Sequence, residues 1–204
     1  TPAMFMAISA LQCTASISIT ASHLSYEKNG FKFFTSEGGL NPQNIDEILQ
    51  LAEKNSWPDI FKSGTVRPVN LMGHYSNKLK KIIEDALGSD LPLKGFKIVV
   101  DAGNGAGGFF ASEVLKPLGA DVGSSTCLSP DGHFPVHVPN PEDKKALNYI
   151  SHATVSANAD LGIIFDTDVD RVSIIDSSGN QIAGTRLIAL VASIVERSVP
   201  ESII

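Results

Sequence analysis

The sequence predicts an α/β protein built from two consecutive units. Three observations carry this expectation. Short β-branched or apolar runs alternate with stretches of helical periodicity, and the apolar runs recur after an internal break. LGSDLPLKG (87–95) supplies that break, with Gly, Ser, Asp and Pro between two well-patterned segments. A chain of 204 residues is also long enough to bury two cores.

In chain order, residues 2–11 are expected as a short helix with Pro2 in its first turn. ASISIT (15–20) alternates and is β-branched, which is strand patterning, and it runs into Ala21-Ser22-His23. Asn29-Gly30 turns the chain into a second strand, FKFFT (31–35). Asn41-Pro42 pairs an N-cap with a first-turn proline, ahead of a helix with Ile45, Ile48, Leu49 and Ala52 on one face. Tyr75, Leu79, Ile82, Ile83 and Ala86 mark another helix, stopped by Gly88. Beyond the break, FKIVV (96–100) is a continuous apolar strand that enters DAGNGAGG and then a helix to Leu118. A short strand is expected near Ala120–Ser124. Asn140-Pro141 is expected to start a helix with Glu142 and Asp143 in its first turn, where the dipole favours them. LGIIF (161–165) and VSIID (172–176) are strands joined beyond a polar loop. Ser177–Asn180 is a turn, LIALVASIV (187–195) a helix, and ESII (201–204) a strand. At least one wholly apolar, parallel strand is expected in each half.

Composition narrows the function. A formal net charge of −6 is the wrong sign for a broad nucleic-acid surface. Hydrophobic residues at 43% and charged residues at 19% describe a folded, soluble chain, and the opening TPAMFMAISALQC is too short to span a membrane. Cys13 and Cys127 are read as free thiols in a reducing compartment rather than a disulfide framework.

The strongest chemical signal is Asp166-Thr167-Asp168-Val169-Asp170-Arg171, directly after a buried strand. Carboxylates at i, i+2 and i+4 of an extended segment point to one side, and a hard divalent cation relieves their repulsion. Mg²⁺ suits such a site because it leaves positions for water and phosphate oxygens. An EF-hand is excluded, since Arg171 stands where its loop needs Gly and Ser177 where it needs Glu. The second signal is Ser22 at a strand end, with His23 and Lys32 as candidate activating partners. Gly103, Gly105 and Gly108 satisfy the dinucleotide spacing G-x-G-x-x-G, but Asp121 and Asp131 are misplaced for its acidic partner. The glycines are therefore read as permitting a tight turn and close packing. His133 and His137, in DGHFPVHVPNPE, are read as part of a rigid structural loop.

Together and in this order, these motifs resemble the α-D-phosphohexomutase superfamily of phosphoglucomutases, phosphomannomutases and phosphoglucosamine mutases. TASHLSYEKNGFK resembles its phosphoserine loop, DAGNGAGG and the PNP of VPNPE its second-domain signatures, and DTDVDR its metal loop, commonly D-G-D-x-D-R. The wording around Tyr26-Glu27-Lys28 and Phe33-Phe34 is nearest to plant, plastid-type members. The resemblance implies α/β/α sandwich-type domains with mixed sheets: residues 1–90 as the latter part of domain I, 91–183 as domain II, and 184–204 as the start of domain III. It implies Ser22 as the phosphorylated serine, and Asp166, Asp168 and Asp170 as Mg²⁺ ligands beside its phosphate. His23 and Lys32 would serve catalysis, and Asp170 and Arg171 would lie beside a hexose phosphate substrate. A glucose 1,6-bisphosphate-type activator is implied, in the cytoplasm or chloroplast stroma.

Two departures stand out. Leu24-Ser25 replaces the usual Asn-Pro, and the sugar-recognition loop of domain III, the phosphate-binding loop of domain IV and the arginine-bearing start of domain I are absent, so this chain alone is expected to bind metal without turnover. Three other readings remain: a Rossmann-type oxidoreductase resting on the glycines, a haloacid-dehalogenase-like phosphatase using Asp166 and Asp168, and a non-catalytic relative. Asp170 opposes the phosphatase, whose motif expects Thr or Val there.

Overall fold

The structure, a computed structural model, describes residues 1–55 and 64–199. The strand expected at 201–204 lies outside the described residues. The elements are α1 (Pro2–Ala10), β1 (Ala15–Ile19), β2 (Phe31–Thr35), β3 (Gly38–Gly39), α2 (Pro42–Glu53) and α3 (Leu71–Leu87). There follow β4 (Ile98–Asp101), α4 (Lys144–Ser156), β5 (Leu161–Phe165), β6 (Val172–Asp176) and α5 (Gly184–Ser198).

The α/β class holds, in two three-stranded sheets, β1-β2-β3 and β4-β5-β6. In the first sheet both described pairings are antiparallel, so the parallel strand expected in this half is not among the described residues. The alternation of ASISI explains this: β1 is half-exposed along its length, whereas a parallel strand is buried on both faces. Register places Ser18 opposite Lys32 and Ile19 opposite Phe31, which puts Ser22 and Lys32 at one end of the hairpin. Helix α1 covers the inner face, with Phe5 edge-on to Phe34 at 4.6 Å between ring centroids.

The second sheet is mixed: β4 runs parallel to β5, and β6 antiparallel to it. β4 and β5 are almost wholly apolar because both faces of the sheet are covered. Ile98, Val100, Ile163 and Phe165 meet Ala111 and Leu115 on one side. On the other, Val99, Ile164 and Ile175 meet Ala146 and Ile150 of α4. The result is a helix–sheet–helix sandwich.

Three local expectations need correction. After β4 the chain forms a 3₁₀ turn (Ala106–Gly108) and a π-helical segment (Phe110–Leu115) instead of one regular helix. The strand expected at 120–124 reduces to a single bridge between Asp121 and Lys97, because the chain turns at once into an Asp121-capped turn. Finally, α4 is capped by Asp143, whose carboxylate accepts from the backbone N–H groups of Lys145 and Ala146. Asn140 closes a tight turn on the N–H of Glu142 instead. By contrast, Asn41 caps α2 and Gly88, at φ +63°, ends α3, both as expected. The face expected on α2 is only partly covered, Leu49 remaining 54% exposed.

The loop before α4 is tied to the end of β4 by a buried ion pair. His137 Nε2 lies 2.9 Å from Asp101 Oδ2, and Nδ1 donates to the Val138 carbonyl at 2.9 Å. Burial alone would lower the His137 pKa. Hydrogen bonds to Asp101, Cys127 and Val138, with the Asp101 charge, outweigh it and raise the pKa from 6.5 to about 10. Folding therefore raises this pKa. The pair's contribution to stability is complete below pH 6.5 and is lost as pH rises through about 10. With a chelator present, urea unfolding between pH 6 and pH 10 should show this loss, and His137→Gln should flatten it. Parallel stability–pH curves for the two proteins would refute it.

Candidate active site

The carboxyl ends of parallel strands are where α/β sheets place ligands, and β4 and β5 both end at one edge of the second sheet. Asp166 follows β5 directly. Its Oδ1 accepts from the backbone N–H groups of Asp170 and Arg171, each at 3.1 Å, which folds 166–171 into a tight loop. The loop turns all three acidic side chains to one place: carboxylate oxygens of Asp166, Asp168 and Asp170 lie within 4.8 Å of one another. Val169, between two of them, has φ +63°, an outlying conformation for a β-branched residue. Such strain persists only where surrounding contacts over-determine it.

Those contacts come from the glycine-rich loop. A Cβ on Gly105 would lie 2.5 Å from Thr167 Cα, and the Ala106 N–H donates to the Thr167 carbonyl at 2.8 Å. A Cβ on Gly108 would strike the Leu128 carbonyl. The glycines thus allow backbone to pack on backbone, and Gly105 is filled by the acidic loop itself.

The hairpin end supplies the opposite wall. Ser22 Oγ donates to Asp166 Oδ2 at 3.0 Å, although the two residues are 144 positions apart. His23 Nδ1 stands 3.4 Å from the same hydroxyl. Lys32 Nζ bridges Asp168 Oδ2 at 2.7 Å and Asp170 Oδ2 at 2.5 Å. Ser22 itself is at φ +51°. Its backbone is pinned by Thr20 Oγ1, which accepts the Ser22 N–H, and by Thr167 Oγ1, which donates to the Ser22 carbonyl at 2.6 Å. Arg171 contributes its backbone N–H to Asp166, while its side chain is exposed. A cavity of about 430 Å³ opens beside Ser22, lined by Tyr26, Lys28, Asn104, Asp131 and Thr167 among others.

Electrostatics divide the carboxylates. Burial, then the negative charges of Asp168 and Asp170, raises the Asp166 pKa above the ordinary carboxylate value against the hydrogen bonds it accepts. Burial also acts on Asp168, but hydrogen bonds from Lys32 and Thr1 and the Lys32 charge outweigh it and hold its carboxyl below that value. Burial opposes the charge on Lys32, but the hydrogen bonds and charges of Asp168 and Asp170 outweigh it and raise the pKa of the ammonium.

The donor set fits a hard cation. It is all oxygen, two of the three side chains are buried, and Asp168 Oδ1 is buried with no hydrogen-bond partner. A buried carboxylate oxygen without a donor is costly unless a cation meets it.

Sequence reasoning named Ser22, His23, Lys32 and the three aspartates, and the structure brings them together. It overlooked Thr167, which reads as a spacer between aspartates until its hydroxyl is seen on Ser22. It also placed His137 in a structural loop without its buried partner Asp101. His133 lies apart from His137, exposed beside Asp131.

Residues 1–59 match the family described as phosphoglucomutase/phosphomannomutase, α/β/α domain I, and residues 74–179 match domain II of the same family. A phosphoglucomutase of Neisseria meningitidis is 34% identical over 176 residues, covering 86% of this chain and 36% of that protein. A phosphomannomutase/phosphoglucomutase of Pseudomonas syringae is 31% identical, over 94% of this chain and 39% of that protein. A phosphoglucosamine mutase of Vibrio vulnificus is 32% identical, over 94% and 42%. This chain therefore spans well under half the length of these relatives. Among solved structures, a phosphoglucomutase/phosphomannomutase family protein of Burkholderia thailandensis superposes with a TM-score of 0.79 at 26% identity, covering 91% of this chain and 38% of that one.

The Thr167 contact has a measurable weight. Thr167→Val keeps the side chain's shape and removes the donor to Ser22, at an expected cost of about 1 kcal/mol. For a chain of this size that lowers the melting temperature by about 2–4 °C. Thr167→Ser should retain wild-type stability; equal losses in both variants would count against the hydroxyl.

Proposed function

Because the chain belongs to the phosphoglucomutase/phosphomannomutase family, we propose that it carries the phosphoserine and metal-binding part of a phosphohexomutase, which moves a phosphoryl group between the 1- and 6-positions of a hexose phosphate. The observation that supports this most directly is Ser22 Oγ on the Asp166 carboxylate, a contact made across 144 residues. Residues 1–90 then contribute the phosphoserine loop of domain I, 91–183 the metal loop of domain II, and 184–204 the opening of domain III. The apolar residues of α5, such as Ile188 and Val191, are exposed here and would be covered in a longer chain. Sugar recognition and the distal phosphate would fall to the rest of domain III and to domain IV.

In this reading Ser22 carries the phosphoryl group, and Asp166, Asp168 and Asp170 hold Mg²⁺ beside it. Mg²⁺ bound there would neutralise phosphate charge and fix the orientation of the phosphoryl oxygens. Phosphoserine brings a charge of about −1.5 to −2 at pH 7, and the site is already rich in carboxylates. Lys32 is the chain's own answer to that charge. Its ammonium, held at the mouth of the acidic loop by Asp168 and Asp170, is placed to act as a cation on the transferring phosphoryl group. Asp170 and Arg171, at the exposed end of the loop, would meet the sugar phosphate.

The reaction balances in two halves. A sugar hydroxyl oxygen bonds to phosphorus as the Ser22 Oγ–P bond breaks, and the hydroxyl proton passes, in net, to Ser22 Oγ, with His23 the ring nitrogen nearest that oxygen. The resulting hexose 1,6-bisphosphate reorients, and the reverse transfer of its other phosphoryl group restores phosphoserine. A glucose 1,6-bisphosphate-type activator would charge Ser22 by the second half alone. The loss of Asn-Pro at Leu24-Ser25 does not leave the serine loop loose, because Thr20 and Thr167 hold the backbone of Ser22.

In the full-length protein, intact mass should rise by one phosphoryl group after treatment with glucose 1,6-bisphosphate, and Ser22→Ala should show no rise and no turnover while keeping its circular dichroism. Lys32→Ala should slow transfer less completely, on the order of 10²-fold. Calorimetry on the chain described here should give weaker Mg²⁺ binding in Asp168→Ala. A phosphorylated, active Ser22→Ala protein would end the proposal.

A further inference from the structure

Apart from the Asp166–Asp170 carboxylates, the described residues bring one other group of metal-ligating side chains together. Asp101 ends β4, Cys127 lies in the loop that crosses beside that strand end, and His137 lies in the proline-rich loop before α4. Their donor atoms, one oxygen, one sulfur and one nitrogen, all lie within 4.8 Å of one another. The Asp101 and His137 side chains are 0% and 4% exposed.

Each donor is oriented by a second contact. Asp101 Oδ1 accepts the Gly103 N–H at 2.8 Å, which leaves Oδ2 to face His137 Nε2 at 2.9 Å. His137 Nδ1 is committed to the Val138 carbonyl, so Nε2 is the nitrogen turned toward Asp101. Cys127 has φ +51°, and its carbonyl accepts the Asn104 N–H at 2.9 Å. A left-handed backbone at a residue that is neither Gly nor Asn calls for a reason. The aim of its thiol at His137 supplies one. Tyr149 lies against His137, ring centroids 5.4 Å apart.

We propose that Asp101, Cys127 and His137 bind a borderline-soft divalent transition metal, Zn²⁺ foremost, at a site separate from the three-aspartate loop. Thiolate, imidazole and carboxylate are the donors Zn²⁺ takes, whereas Mg²⁺ takes oxygen alone. A ligating histidine typically gives its outer N–H to a backbone carbonyl, and a ligating carboxylate is hydrogen-bonded through its other oxygen; His137 and Asp101 show both. On binding, the ion forms bonds to Oδ2, Nε2 and Sγ, while the proton on Nε2 and the thiol proton leave to solvent. A water molecule completes a tetrahedron. The ion adds a side-chain link among three segments, of which the β4 end and the Cys127 loop are already joined by backbone hydrogen bonds and the His137 loop by its ion pair with Asp101.

Cobalt tests this with a signal that reports sulfur ligation. The purified, chelator-treated protein is titrated with Co²⁺ and its absorption read for a thiolate-to-cobalt charge-transfer band in the near ultraviolet. One equivalent should saturate the band, Zn²⁺ should displace it stoichiometrically, and excess Mg²⁺ should leave it unchanged. Cys127→Ser should lose the band, while Cys13→Ser and Asp168→Ala should keep it, which separates the site from the other thiol and from the Mg²⁺ loop. Failure of Cys127→Ser to fold would not rescue the idea, because absence of the band in the wild-type chain overturns it outright. So would a band that survives Cys127→Ser or vanishes with Asp168→Ala. None of these results depends on the mutase reading, whose tests are read on Ser22 and turnover.

Discussion

Three carboxylates held at the end of one strand repel one another, and the surrounding architecture can be understood as the means of holding them there. Asp166 is met by two backbone N–H groups and the Ser22 hydroxyl. Asp168 and Asp170 share one ammonium, that of Lys32, delivered by the other sheet. Two buried acids in almost the same place therefore move in opposite directions from their ordinary ionisation, one toward the neutral form and one toward the charged form. That division is the usual outcome when like charges are crowded and only some find a counter-charge. A hard cation with open positions suits such a place.

Steric closeness is the second requirement. The acidic loop has an improbable backbone at Val169, and the glycine-rich loop behind it has no side chain to push it away at Gly105. The same glycine spacing serves pyrophosphate binding in dinucleotide folds, where the missing Cβ makes room for a ligand. Here the room at Gly105 is taken by Thr167, and a 3₁₀ turn followed by a π-helical segment replaces the regular helix such folds present. One spacing can serve two purposes, and only the neighbour that fills the gap tells them apart.

What the sequence made legible follows from range. LGIIF, FKIVV and FKFFT are strands by composition, Gly88 ends its helix by backbone freedom, and the i, i+2, i+4 aspartates converge by local geometry. All of these depend on residues within a few positions. The parallel strand expected in the first half does not appear among the described residues, where the half-exposed alternation of β1 suits an antiparallel hairpin. Asp143 displaced Asn140 as the cap because both begin plausible first turns, and the choice rests on how α4 lies on the sheet. The Asp101–His137 pair and the Thr167–Ser22 bond join residues 36 and 145 positions apart, so no local pattern announces them. Recognition of the serine and aspartate motifs as parts of one site came from family resemblance, which carries long-range information that periodicity lacks.

The span between Ser22 and Asp166 also bears on how the molecule assembles. The β1–β2 hairpin closes over a short loop, and β5–β6 over a shorter one, so each forms early at little entropic cost. The contact between them closes a far larger loop, at a larger entropic cost. It is therefore expected late in folding, its hydrogen bonds among the interactions formed after the transition state, those that govern how slowly a native protein comes apart. Any ligand that ties Ser22 to the acidic loop would act on that slow step, lengthening the native lifetime more than it hastens the approach to it.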